Sequence, residues 1–229
     1  MDTYTLKVIA RIHTDLPEKF GVPRQSGLIP ELRGKIVFEP EYRNMDALRG
    51  VEEFSHLWLV WQFSEAVRDT WSPLVRPPRL GGNEKMGVFA TRSPFRPNAL
   101  GLSCVELDKV EYDRQLGPVI WVRGVDLMDG TPIFDIKPYL AYADSRPDAV
   151  GGWTAAVERK YLAVECSGNL LANIPLQNQK ALLAVLANDP RPRYQDDPQR
   201  IYGLAFAEWN VKFRVEGETL HVVAVEKKV

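Results

Sequence analysis

The chain has 229 residues, 45% of them hydrophobic and 26% charged, with a formal net charge of −1. That length can bury a real core as one large or two small domains, and the near-neutral balance argues against wholesale coating of nucleic acid while leaving room for a local basic patch. Two cysteines, Cys104 and Cys166, without a CxxC, and three scattered histidines support neither a disulfide scaffold nor a zinc site. No apolar run approaches the roughly 20 residues that span a bilayer. Asp2, Lys7 and Arg11 interrupt any leader-like pattern at the start, so a reduced, cytoplasmic protein is expected.

Residues 5–12 alternate, with Leu6, Val8, Ala10 and Ile12 on one side, and predict a half-buried strand. Residues 20–28 form a loop punctuated by Pro23 and Gly27, in which Arg24 and Gln25 offer polar groups. Residues 55–63 are nearly continuous in apolar side chains and predict a central strand buried on both faces. His56, at its start, reads as a structural histidine. Phe63 and Ser64, at its end, sit where a strand opens towards a site.

The next stretch, 76–101, holds four Pro, four Gly and five basic residues against one acid. Its +4 charge contrasts with −5 over the rest of the chain. Residues 87–91 predict a strand entering a rigid loop, 92–98. Such a loop suits phosphate or carboxylate binding, and its alternative is a structured surface loop with solvated arginines. Strands follow at 100–107 and 119–125. Asp129-Gly130 predicts a hairpin turn, with 133–139 as the returning strand. Short strands joined by Gly/Pro turns indicate a mainly β fold, barrel or sandwich, and not a doubly wound sheet.

A polar segment, 144–152, predicts a boundary between domains spanning 1–146 and 147–229, the second smaller and α+β. Residues 153–164 read as a strand-like link. A helix is expected after Asn173, with Asn173 as cap, Pro175 in the first turn and Leu176, Leu183 and Leu186 on one face. Asn188-Asp189-Pro190 stops it. Residues 189–194 are a second basic, proline-stiffened segment, and 203–215 with 220–225 read as a closing hairpin.

Several chemistries lack their motifs. There is no GxGxxG, no P-loop and no GxSxG elbow. Asp126, Asp129 and Asp135 do not have the spacing of a calcium loop, and no metal is expected.

Residues 87–98, GVFATRSPFRPN, resemble the signature of the TsaA-like family. Val22-Pro23-Arg24-Gln25, Phe54-Ser55-His56-Leu57-Trp58, residues 76–82, Asp129-Gly130-Thr131-Pro132 and Asp135-Ile136-Lys137-Pro138-Tyr139 support the resemblance. Asp189-Pro190-Arg191-Pro192 and Trp209-Asn210-Val211 are similar to the C-terminal domain of the family's bacterial tRNA methyltransferase branch. The resemblance implies a TsaA-like β-barrel. It also implies S-adenosylmethionine-dependent N6-methylation of N6-threonylcarbamoyladenosine beside a tRNA anticodon, by a homodimer with cofactor sites near its interface. It places the cofactor on Gln25, Ser26, Gly27, Phe63, Ser64, Arg92, Leu102, Arg123, Gly124, Val125 and Asp126. The pattern departs at Ser64, where the family commonly has His. Arg96, Asn98, Arg191 and Arg193 are expected at the tRNA backbone or the threonyl carboxylate. No catalytic base is assigned; Asp126 qualifies only if it faces the substrate. A non-catalytic RNA-binding barrel and a small-molecule methyltransferase or hydrolase are the alternative readings.

Overall fold

Alternation of apolar and polar residues builds the first half of the molecule. In this computed structural model, residues 2–67, 70–80, 84–156, 160–191 and 197–228 are described. The strands are β1 (Ala10–Thr14), β2 (Arg33–Phe38), β3 (His56–Gln62), β4 (Leu74–Val75), β5 (Met86–Gly87), β6 (Leu100–Asp113), β7 (Gly117–Arg123) and β8 (Thr131–Pro138). Six of them close a barrel in the order β1-β2-β7-β6-β3-β8. Every neighbouring pair is antiparallel. Ile12, Ile36, Leu57, Leu59, Ile120 and Ile133 fill the interior. Each such fully buried side chain stabilises by about 2 kcal/mol. β4 and β5 form a separate two-stranded ribbon outside the wall.

After the short helix α1 (Ala141–Asp144) comes a second sheet of β9 (Ala163–Glu165), β10 (Tyr202–Phe206), β11 (Trp209–Glu216) and β12 (Thr219–Lys227), with helix α2 (Leu176–Ala187). Its order is β10-β11-β12-β9, and only β9 runs parallel to its neighbour. One hydrophobic core continues from the barrel through Leu16 to Leu182, Val185, Leu204, Phe206 and Phe213. Residues 15–22 carry this continuity. The Asp15 carbonyl accepts from the Ala207 amide at 2.7 Å. Asn178 on α2 donates to the Asp15 carboxylate at 2.8 Å, and Phe20 stacks on Phe213.

Several local expectations change. The first strand starts at Ala10 and not at residue 5, because Leu6 lies outside the core, exposed. β3 is fully buried on its inner face alone, at Leu57, Leu59 and Trp61; Trp58 and Val60 are half-covered. Residues 88–90 form a 3-10 turn where a strand was expected. Asp129-Gly130 is a turn but not a hairpin, because β8 pairs with β1 and β3 and not with β7. The turn docks on the end of β1, where Asp129 Oδ1 accepts from the Thr14 amide at 3.0 Å. Pro175, not Asn173, stands at the N-cap of α2. The helix buries Ala181, Leu182, Val185 and Leu186 and leaves Leu176 exposed. The described parts of the link are a 3-10 turn at 153–156 and a loop at 160–162 leading into β9, and the final hairpin is a three-stranded meander.

Candidate functional site

The barrel wall opens along one seam. β6 pairs with β3 from Leu100 to Glu106, but β7 joins its other edge only from Glu106 onward. Among the described residues, no strand pairs with 100–104 on that edge. Loop 24–28 enters the gap instead. Its Ser26 hydroxyl accepts from the Cys104 amide at 3.2 Å. Its Gly27 amide donates to the Gly124 carbonyl at 2.8 Å. Gly27 and Gly124 both have positive φ, and a Cβ on Gly124 would stand 3.2 Å from Gly27 Cα and N. The approach therefore requires glycine at 124. Cys104 directs its main-chain groups to this edge, and period-two geometry makes Leu102 do the same, open to a ligand.

Asp126 lies just past β7 at the bottom of the seam. Ser103 Oγ donates to its Oδ1 at 2.6 Å, and Trp61 Nε1 donates to Ser103 Oγ at 2.9 Å. Burial raises the Asp126 carboxyl from 3.8 to about 6. Ser103, the amides of Asp126 and Ser26, and the Arg92 charge hold it from rising further. At neutral pH the anion therefore predominates. Cys104 stays a thiol, since burial and then the Asp144 charge push its pKa up.

Arg92 reaches the same place from the signature loop. Its Nη1 donates to Gln25 Oε1, and Gln25 Nε2 donates to the Arg24 carbonyl. The loop is stiffened from within. Thr91 Oγ1 donates to the Val88 carbonyl at 2.8 Å and accepts from the Ser93 amide, while Arg96 Nη1 donates to the Thr91 carbonyl at 3.2 Å. Trp153 clamps it from beyond the barrel, donating to the Ala90 carbonyl at 2.9 Å.

Gln25, Ser26, Gly27, Arg92, Leu102, Gly124 and Asp126 thus converge. Phe63 joins through Trp61, their rings 4.3 Å apart. Val125 is buried against the barrel interior near Gly34, so only its main chain faces the seam. Ser64 is exposed at the start of a 3-10 turn. Arg123 is engaged by Asp108, its Nη2 donating to Oδ1. Asn98 is exposed. The Arg191 guanidinium is buried and donates to both oxygens of Asp189, at 2.9 and 3.0 Å. Arg193 lies outside the described residues. Among those residues no His/Cys/Asp/Glu group has the arrangement of a metal site, and no helix is long and apolar enough to cross a membrane.

The donor set fits a zwitterionic nucleoside. An open strand edge suits a purine rim, a half-buried carboxylate suits hydroxyl or amino donors, and a guanidinium suits a carboxylate. Trp61, Ser103 and Gly101 were missed as site residues. Their one sequence signal is Ser103, a polar residue in the inward register of β6 between Gly101 and Val105.

Two family models match the chain: the tRNA-methyltransferase O N-terminal domain over residues 11–145 and the TrmO C-terminal domain over 156–228. The chain belongs to the tRNA-methyltransferase O family. It is 40% identical, over the full length of both, to an Escherichia coli protein named tRNA (adenine(37)-N6)-methyltransferase. It is 41% identical, over 91% of each chain, to a Pseudomonas aeruginosa protein whose name proposes an S-adenosylmethionine-dependent methyltransferase. A crystal structure of TrmO from Pseudomonas aeruginosa superposes with a TM-score of 0.78 at 32% identity, covering 98% of this chain and all of that one.

Proposed function

We propose that this enzyme transfers a methyl group from S-adenosylmethionine to N6 of adenosine 37 in tRNA, with N6-threonylcarbamoyladenosine as the substrate nucleoside. The observation that carries this reading is the convergence of Gln25, Arg92 and Asp126 on the open edge of β6. When bound, the cofactor supplies an electrophilic methyl group. Leu102 and loop 25–27 hold its nucleoside, Phe63 walls it, and Arg92 pairs with its carboxylate.

The target nitrogen is urea-like and its lone pair is delocalised, so rate gain comes mainly from alignment. The stiff signature loop and the Gly27–Gly124 contact provide fixed points for that alignment. Asp126 already accepts from Ser103, and the amides of Ser26 and its own residue favour its anion. It is an anchor. Arg96 and Asn98 present their remaining polar groups to RNA; Arg96 alone is charged, so Arg96→Ala should lower the salt slope of tRNA binding by about one. The unit spanning 147–229 adds tRNA contacts, the working form is a cytoplasmic homodimer, and Arg191 shapes its segment through Asp189.

Calorimetry with S-adenosylmethionine on the purified chain should give saturable heat. Arg92→Ala should weaken binding with the fold intact, because Arg92 is exposed. Mass spectrometry of tRNA nucleosides should show the N-methylated species formed by the enzyme and missing from a deletion strain. No heat and no thermal shift at millimolar cofactor would leave a non-catalytic RNA-binding barrel.

A further inference from the structure

We propose that Trp61 and Ser103 are positioning residues for the cofactor site: a one-way chain of donors that holds Asp126 as an acceptor beside loop 24–27 in the barrel seam. The proposal rests on the assignment of that loop to the cofactor.

The direction of the chain follows from side-chain chemistry. An indole N–H can only donate. Ser103 Oγ must therefore accept from Trp61 Nε1 at 2.9 Å. Its single hydroxyl hydrogen is left for Asp126 Oδ1 at 2.6 Å. Trp61 and Ser103 are 6% and 1% exposed, so water does not compete for either bond. To accept from a protonated Asp126 the Ser103 hydroxyl would have to give up the bond it donates to the carboxylate. The chain therefore favours the carboxylate over the acid.

The loop lies at the far end. The Ser26 amide favours the Asp126 anion, the Ser26 hydroxyl accepts from the Cys104 amide, and the Gly27 amide donates to the Gly124 carbonyl. Three elements face Asp126: β6 through Ser103, the loop through Ser26, and the signature loop through the Arg92 charge, which also favours the anion. The thiol of Cys104, on the opposite face of β6, stays neutral. Residue 101 completes the arrangement. A Cβ there would stand 2.2 Å from Trp61 Cε2, so only glycine lets the indole lie flat across β6 towards Ser103.

The test uses the full chain and two readouts. Carbon-13 carboxyl shifts follow Asp126 in the ligand-free protein, with Asp126→Asn identifying the resonance. Calorimetry follows S-adenosylmethionine affinity from pH 5 to 8. In Ser103→Ala the Asp126 midpoint should move upward, and affinity at pH 7 should fall roughly tenfold, the worth of one hydrogen bond to a charged group. Trp61→Phe keeps the ring against Gly101 and should shift both in the same direction by less. Ser103→Thr should restore them. An unmoved midpoint in Ser103→Ala overturns the relay. A moved midpoint with unchanged affinity overturns the positioning role. If Ser103→Ala does not fold, Trp61→Phe decides by the same midpoint. If the native chain binds no cofactor, the functional reading fails, while the carboxyl titration still decides the relay.

Discussion

Asp126 and Asp15 sit in different regions and solve one problem differently. Both carboxyls are withdrawn from water, and burial is the largest cause of a raised pKa in each. Asp126, in the barrel seam, receives a hydroxyl, two amides and the field of Arg92. Asp15, where the barrel meets α2 and the second sheet, receives the Asn178 amide, while the nearby Asp129 charge raises it further. A half-buried acid served by one strand hydroxyl and two stiff loops is kept as an anion for use. One held by a single side chain across two units works as a latch. The number and stiffness of donors, not burial alone, separate a site from a joint.

The sharpest way to test that contrast is Asp126→Asn. The native carboxyl binds its proton more tightly than the unfolded one. Stability should therefore fall as pH rises from about 4 to 6 and level off above, by about 3 kcal/mol across that window. The variant should lose this component, so it gains on the native chain by that amount between pH 4 and 7 in urea unfolding, while binding cofactor less well. A parallel pH dependence in the two proteins would remove the special status of Asp126.

Gly101→Ala strikes the site through its packing. The added Cβ meets the Trp61 ring, and the clash should cost about 2 kcal/mol in chemical denaturation. Cofactor affinity should drop with it, because the indole leaves Ser103. Retention of full affinity would show that the indole is not needed there.

Asp15→Ala addresses the joint. Losing the Asn178 bond should cost about 1 kcal/mol. Because residues 15–22 lead into loop 24–28, cofactor binding should weaken slightly too, measurable by calorimetry beside a thermal melt. A large loss of binding would mean that the joint and the site are one unit. Leu176→Ser should change stability by less than about 0.5 kcal/mol, since the side chain is exposed on α2. A bigger drop in the urea midpoint would restore Leu176 to the core.

The basic stretch 76–101 and the polar loop with Arg24 and Gln25 stood out from proline, glycine and charge, whereas Ser26, Gly27, Arg92 and residues 124–126 were singled out only through the family resemblance. The resemblance also chose the barrel over the sandwich, while the mainly β class was readable from alternation and turn residues. Two kinds of feature were not. Helix face and strand pairing depend on partners far along the chain: Leu176 has the right spacing for a core position but no neighbour to bury it, and Asp129-Gly130 turns the chain towards β1 and not back on β7. The relay was hidden for a related reason. Trp61, Ser103 and Asp126 belong to separate segments, and only register places Gly101 opposite the indole.

The sequence by itself determined the β class and the basic stiffened stretch 76–101, because backbone preference and charge are properties of each residue and its neighbours. Tertiary structure alone decided that the wall opens beside Leu102, that Asp126 is half-buried against Ser103, and that Arg191 turns to Asp189. Burial and hydrogen-bond direction depend on which distant segments meet, and those meetings set the energies that make a carboxylate useful.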